Sequence, residues 1–350
     1  MTPPRKLLVL DLGGLGDEVH LLPALWALRN QWPQAELHVL VNAHVTGLFK
    51  LTPWVNRVWG YAKPRTRRFG DWRRWARRLR AERYDLALDL KATDRSSLLT
   101  FFSGARLRIG RRPADGGPPG WRFLFHRVVQ TPYYTEPMYW QKWRCVKQLG
   151  CAGERPEFRF VIEPRLRREL GIGADDEHGY LHLSPCTTAP ARELPIAQLA
   201  ELIEALRADF PGLRLALSCA PSERERERLA ELVGRLQSPP WKIFAGTLGI
   251  DQLAALIQTC ALNLCGDTGS LHLAMMTGAP ALAWFRHHRG EKEWIPEGAQ
   301  YRVLIAPDAA PRDALYGLTT AQLRAAAREI LNRVPSAAAA APAGAAPPPA

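Results

Sequence analysis

Short continuous apolar runs alternate along the chain with longer stretches in which apolar positions recur at three- and four-residue steps. The first rhythm marks strands of a parallel sheet covered on both faces, and the second marks amphipathic helices. "KLLVLDL" predicts a strand, and Val19, Leu22, Leu25, Trp26 and Arg29 predict a helix after a glycine-rich turn. "AELHVLVN" and "YDLALDL" predict the next two strands, and "SSLLTFFSGA" a helix. An irregular Gly-, Pro- and Arg-rich stretch follows at 111–135, and helical spacing resumes in "PMYWQKWRCVKQLGC".

A second alternating set begins near residue 178. "GYLHLSP", "LRLALSC" and "WKIFAG" predict strands, while "PIAQLAELIEALRADFPG", "SERERERLAELVGRL" and "IDQLAALIQTC" predict helices. "LNLCGDTGSLHLAMMTGAPALAWF" reads as a strand, a sharp turn, a helix and a second strand. A last helix is expected from Thr319, where Thr-x-x-Gln forms a capping box. Two consecutive sets predict an α/β protein of two Rossmann-like domains, residues 1–160 and 161–333, joined around 153–178. An Ala/Pro-rich tail at 334–350 is expected to be disordered.

Composition narrows the class. With 350 residues and 47% hydrophobic content the chain can bury a large core, which excludes global disorder. The N-terminal apolar run reads as a strand and lacks a cleavage site, and no run is long enough to span a bilayer, so a cytoplasmic protein is expected. The six cysteines, at 145, 151, 186, 219, 260 and 265, show no CxxC spacing and read as buried reduced thiols. The histidines form no HExxH motif, His287 and His288 read as a polar loop, and neither a metal site nor a cofactor is expected. The net charge of +13 points to an anionic partner: a nucleic acid, an anionic membrane or a phosphorylated ligand.

Each half contains a strand that ends in Gly-Asp and turns into a helix: "LGGLGDEVHLLPAL" and "CGDTGSLHLA". In open α/β sheets ligands bind at the carboxyl ends of strands, beside helix N-termini whose N–H groups lack partners. Thr268, Gly269 and Ser270 are therefore candidates for a phosphate cradle, with Asp267 in the turn and His272 one turn on. Helix capping by Asp267 and Thr268 is the plainer reading of the same residues.

These stretches also carry a resemblance. "LGGLGDEVHLLPALWALRNQWPQAELHVLVN", "YDLALDLKATDRSSLLTFFSGARLRIG" and "CGDTGSLHLAMMTGAPALAWF" resemble, in order and distance over roughly residues 5–333, the bacterial lipopolysaccharide heptosyltransferases of glycosyltransferase family 9. The resemblance implies a GT-B fold, an N-terminal acceptor-binding domain and a C-terminal nucleotide-sugar domain facing it across a cleft. It implies transfer of heptose from ADP-heptose to the lipopolysaccharide inner core, with inversion and without metal. The chain has no Asp-x-Asp pair of the kind metal-dependent glycosyltransferases commonly use, so cationic side chains and backbone amides must neutralise the leaving diphosphate. By the same resemblance Asp17 is the candidate general base, and Arg192 takes the place of a phosphate-contacting lysine. Glu223 is a candidate donor-sugar contact, and Gly14, Gly16, Lys91, Arg73 and Arg74 are candidate acceptor contacts.

Residues 63–83, "KPRTRRFGDWRRWARRLRAER", hold ten Lys or Arg and two acids. Trp72, Trp75, Ala76 and Leu79 form one apolar helical stripe there. The stretch reads either as a surface helix packed on its sheet or as a docking surface for a membrane-borne anionic acceptor, with peripheral attachment to the inner membrane. Two other functions remain open: a GT-B-like nucleotide-sugar epimerase, or an enzyme using another donor, and a binder of anionic polymers. No helix-turn-helix, zinc-finger or RNP-like pattern supports nucleic acid as the partner.

Overall fold

The structure, a computed structural model, describes residues 3–63, 69–158, 162–307 and 317–333. The tail at 334–350 and residues 64–68 of the basic segment lie outside that set. The N-terminal part runs β1 (Lys6–Leu10), α1 (Leu15–Val19), α2 (Leu22–Gln31), β2 (Glu36–Asn42), β3 (Arg57–Tyr61), α3 (Phe69–Ala81), β4 (Leu86–Asp89), α4 (Asp94–Phe102), β5 (Leu107–Arg111), β6 (Arg127–Val129) and α5 (Met138–Lys147). Its strands form one parallel sheet in the order β3-β2-β1-β4-β5-β6. β1 pairs with both β2 and β4, so the strand order reverses beside it.

The C-terminal part runs α6 (Pro164–Glu169), β7 (Tyr180–Ser184), α7 (Ile196–Asp209), β8 (Arg214–Cys219), α8 (Glu223–Arg235), β9 (Lys242–Ala245), α9 (Ile250–Gln258), β10 (Leu262–Gly266), α10 (Gly269–Thr277), β11 (Ala281–Arg286), β12 (Tyr301–Ala306) and α11 (Thr320–Leu331). Its sheet is again parallel and six-stranded, in the order β12-β11-β10-β7-β8-β9, with the reversal between β7 and β10. The capping box expected at Thr319 and Gln322 is present at the start of α11.

The chain divides into two compact units. One comprises Met1–Glu163, Gly249–Leu253 and His288–Pro296, and the other Pro164–Leu248, Ala254–His287 and Glu297–Ala350. Two short segments from the C-terminal half thus belong to the first unit. Glu293, in one of them, is buried and accepts hydrogen bonds from the Tyr134 amide at 3.0 Å and the Gln141 side chain at 2.8 Å.

The central strands are the ones with continuous apolar sequence. β1, β4 and β10 are buried nearly throughout because helices cover both faces. The strands that periodicity missed are β3, β5, β6 and β12. β3 is half-exposed at a sheet edge, β6 has only three residues, and β12 alternates weakly. The third strand expected from sequence, "YDLALDL", is consequently the fourth in the chain. All six cysteines are unpaired, five of them buried and Cys219 half-buried. Among the described residues no helix is long and apolar enough to cross a membrane.

α3 settles how the basic segment is oriented. Leu79 is fully buried, and Trp72 and Trp75 pack against the same core as Leu8, Leu10, Leu40 and Leu99. Trp75 lies 6.3 Å from Trp59 and 5.5 Å from Tyr61 between ring centroids, and Trp72 lies 5.7 Å from Phe102. The apolar stripe is therefore spent on the fold and is not free to enter a bilayer, while Arg73, Arg74, Arg77 and Arg78 stay exposed. Leu79→Ala should lower the unfolding free energy by about 2–5 kcal/mol, the usual cost of emptying a packed leucine site. Arg77→Gln two residues away should change it by less than about 0.5 kcal/mol. Equilibrium denaturation of both variants checks this, and a near-neutral Leu79→Ala would contradict the packing described.

Candidate functional site

Where strand order reverses, neighbouring loops at the carboxyl ends of the strands diverge and leave a crevice. In the first unit that crevice lies beyond β1 and β4, and most of the predicted N-terminal site residues converge on it. The chain leaves β1 through Asp11 and bends at Gly13. A Cβ on Gly13 would fall 2.2 Å from the Cβ of Asp17, so only glycine lets the Asp17 side chain fold back over the turn. Asp17 Oδ2 then accepts a hydrogen bond from the Gly14 amide at 3.0 Å. Gly16 lies in the same turn of α1, which begins at Leu15.

β4 supplies the counter-charge. Its terminal Asp89 accepts hydrogen bonds from the Lys91 and Ala92 amides at 3.2 and 3.0 Å and from the Ser97 hydroxyl at 2.8 Å. The loop passes through left-handed backbone at Ala92 (φ 58°), which the Asp89 bonds hold in place. Lys91 is thereby presented to Asp17, and the two form an ion pair. Lys91 was expected to meet the acceptor, but its ammonium lies on the candidate base.

A second lysine, which the sequence reading did not single out, completes the cluster. Lys142 of α5 is almost wholly buried, and its Nζ lies 2.6 Å from Asp11 Oδ2 and donates to the Asp17 carbonyl at 2.5 Å. Glu18 is also fully buried. Its Oε1 accepts from the Gly13 amide at 3.3 Å, next to the Gly14 amide that Asp17 holds. Three acids thus surround two ammonium groups. Burial and then the neighbouring Asp11 charge push the Glu18 carboxyl well above its ordinary value. Burial raises Asp11 as well, against the pull of Lys142 and Lys91. For Asp17 burial acts upward, but the charges of Lys91 and Lys142 outweigh it and hold the carboxyl below its usual range. Asp89 is raised to about 6, chiefly by burial.

Beside this turn lies a cavity of about 940 Å³ in the same unit. Leu12, Tyr61, Trp72 and Trp75 give it an apolar wall, and Lys63, Arg74, Arg78 and Arg95 give it cationic groups. Asp71 and Asp94 are the acids in its lining. Arg74 therefore faces the cavity, whereas Arg73 is exposed on α3 but does not line it.

The second unit repeats the arrangement at its own reversal, beyond β7 and β10. Gly266 ends β10, and a Cβ there would lie 3.0 Å from the Thr187 methyl and 3.4 Å from the Arg192 carbonyl, so the loop after β7 packs directly on this turn. Arg192 Nη1 lies 2.8 Å from Asp267 Oδ2, and the guanidinium remains 42% exposed and open to a ligand. Thr268 caps α10, its hydroxyl accepting from the Ser270 amide at 3.3 Å. The Ser270 hydroxyl turns inward and donates to buried Asn263 at 3.0 Å. His272 is buried at 3% exposure, beneath the turn. Glu223 stands exposed on the first turn of α8.

Glu193 and Thr187 form a further element not read from sequence. Glu193 accepts from the Thr187 amide at 2.7 Å and from Arg224 at 2.9 Å, and its other oxygen lies 3.1 Å from Arg228. The carboxylate thereby ties the loop carrying Arg192 to α8. The "RERER" alternation signalled a charged helix, but only the fold shows that two of its arginines hold this loop.

The raised Glu18 carboxyl has a measurable consequence. The native state binds its proton more tightly than the unfolded chain does. Its stabilising contribution is therefore full below the unfolded value of about 4.3 and is lost as pH rises toward the folded value. Glu18→Gln removes this loss, so the gap in stability between variant and wild type should move in the variant's favour from pH 4.5 to pH 8. Denaturant titrations across that range test the point, and parallel curves would mean that Glu18 is ionised in the native protein.

The profile of glycosyltransferase family 9 (heptosyltransferase) matches residues 72–312. The lipopolysaccharide core heptosyltransferase OpsX of Haemophilus influenzae is 24% identical, over 81% of this chain and 80% of that protein. The lipopolysaccharide heptosyltransferase 1 of Pseudomonas aeruginosa is 27% identical, over 80% and 78%. Among solved structures, Escherichia coli heptosyltransferase WaaC with ADP superposes with a TM-score of 0.74 at 19% identity, over 93% of this chain and 99% of that one. The two parallel sheets are thus those of a GT-B enzyme, and the chain belongs to glycosyltransferase family 9, the heptosyltransferase family.

Proposed function

We propose that this glycosyltransferase moves a heptose from ADP-heptose to a sugar of the lipopolysaccharide inner core, with inversion and without a metal ion, at the cytoplasmic surface of the inner membrane. The observation that carries the reading is the placement of two charged pairs. Asp17–Lys91 and Arg192–Asp267 each bridge the two loops at the reversal point of a sheet, where α/β sheets bind ligands. ADP and ADP-2-deoxy-2-fluoro heptose occur in structures of the Escherichia coli relative, which supports this choice of donor.

In the proposed reaction the diphosphate docks at the N-terminus of α10, against the amide of Gly269 and the guanidinium of Arg192. Those donors and the positive end of the helix dipole offset the charge that develops on the departing ADP. The acceptor occupies the arginine-lined cavity next to Leu12, its aromatic wall meeting sugar faces and Arg74, Arg78 and Arg95 meeting anionic groups. Asp17 takes the proton from the acceptor hydroxyl as its oxygen attacks the anomeric carbon. The bond from that carbon to the diphosphate oxygen breaks, and configuration inverts. Lys91 and Lys142 keep Asp17 ionised at neutral pH, the protonation state a base requires.

Asp17→Asn keeps shape and removes basicity. Turnover with ADP-heptose and a core acceptor should fall by about 10²–10⁴-fold, with ADP affinity unchanged. Near wild-type turnover would end the assignment, and loss of ADP binding instead would give Asp17 a structural role. Arg192→Gln should weaken ADP by about ten- to a hundredfold, the effect of about 1.5–3 kcal/mol for a hydrogen bond to a charged group. Calorimetric titration reads this, and wild-type affinity would place the diphosphate elsewhere.

A further inference from the structure

We propose that the first unit docks on an anionic phospholipid bilayer through an aromatic knob, Phe123, framed by arginines on the turn that packs against α4. The proposal rests on the reading above that the acceptor is membrane-borne, and it names the surface that meets the membrane.

The knob is built rigidly. Gly120, in left-handed backbone (φ 80°), leads into a 3-10 turn at Trp121–Leu124. Trp121 and Phe125 both turn inward, their rings 4.9 Å apart. The Trp121 indole donates to Ser97 of α4 at 2.8 Å. Phe125 covers Gly110 of β5 so closely that a Cβ there would lie 2.7 Å from the ring. Phe123, between these two anchors, faces out and is 85% exposed. Phe123 thus holds most of its ring in water, and Phe101 is a second exposed ring, joined to it through Arg108.

The rim is cationic. Arg122 sits in the knob itself, Arg106, 3.5 Å from Asp85, immediately precedes β5, and Arg127 opens β6. Arg106, Arg122 and Arg127 are exposed. Arg108 stacks 5.3 Å from the exposed ring of Phe101, at the end of α4, and donates to the Leu124 carbonyl at 2.9 Å. It thereby joins Phe101 to the knob in one patch. Arg80, on the last turn of α3, packs against Gly104 just beyond α4. Aromatic rings that enter the headgroup layer, surrounded by cations that pair with lipid phosphates, match the chemistry of an anionic membrane. The tryptophan stripe of α3 packs against the core of the sheet and cannot serve in this way.

Placement links the patch to the chemistry. α4 lines the proposed acceptor cavity with Arg95 and Leu98 and ends at the patch with Phe101. Arg95 and Phe101 are separated by six residues, about 9 Å along a helix axis. The patch and the proposed acceptor cavity therefore share one helix, at its two ends.

The test is flotation of the full chain with phosphatidylcholine vesicles, with and without phosphatidylglycerol, together with transfer assays on a deacylated, soluble core acceptor. Wild type should bind the phosphatidylglycerol vesicles, and binding should fade with salt. Phe123→Ser should weaken that binding by about tenfold, Phe123→Trp should retain it, and both should keep wild-type transfer to the soluble acceptor. If wild type ignores anionic vesicles altogether, the membrane-borne reading fails and the docking surface with it. If wild type binds and Phe123→Ser binds equally, the membrane reading stands and this surface is wrong. Loss of binding in a folded Phe123→Trp also overturns the proposal. So does a single-stranded oligonucleotide that binds the patch as tightly as the vesicles do, which would make the partner a nucleic acid.

Discussion

Reversal of strand order is the constraint on which both candidate sites depend. A parallel sheet buried on both faces must place its polar groups where its strands end, and only at a reversal do two adjacent loops part to make room for a ligand. The chain makes this reversal once in each unit, beside β1 and β4 and beside β7 and β10. At each it places a carboxylate on one loop and a cation on the other: Asp17 with Lys91, and Asp267 with Arg192. The pairs join loops that lie far apart in sequence. The cost of ordering such loops is offset by bonds that themselves present charge to a ligand.

The two crevices are supported differently, in ways that suit different tasks. Beneath Asp17 the support is a buried charge cluster, with Lys142 bonded to Asp11 and to the Asp17 backbone and the raised carboxyl of Glu18 beside them. This fixes the position and the ionisation of one carboxylate, which is what a base needs. Beneath Asp267 the support is a loop tie, with Glu193 holding Thr187, Arg224 and Arg228 while Arg192 stays partly in solvent. This leaves a cation partly in solvent at the start of α10, which suits an anionic ligand better than proton transfer.

Much of this was legible in the sequence because the central strands carry no polar interruption. "KLLVLDL", "GYLHLSP" and "LNLCG" are strands for the reason their composition suggests; the Gly-Asp pair of the second half does fall between β10 and α10, whereas Gly16 and Asp17 of the first lie inside α1. The edge strands were not legible. β3 and β12 are partly exposed, so their sequences do not show the continuous run of a buried strand. The supports were hidden for another reason. Lys142 sits among tryptophans on a helix that reads as merely basic, and its partner Asp11 reads as the polar end of a strand. Pairing between residues 131 positions apart follows from topology, and local pattern carries no trace of it.

The same topology explains why α3 lines the proposed acceptor cavity without surrendering its tryptophans to solvent. The helix crosses back over β2 and β1 on its way from β3 to β4, so it must pack an apolar face on the sheet. Trp72 and Trp75 do that, and their edges also border the cavity. Arg74 and Arg78, one helical turn apart, come from the neighbouring face and bring charge to the same opening. Aromatic wall and cationic rim are thus consequences of one amphipathic helix laid across a sheet. The lining of the cavity and the stability of the fold thus share Trp72 and Trp75, whereas Arg74 and Arg78 lie on the exposed side of the same helix, outside the core.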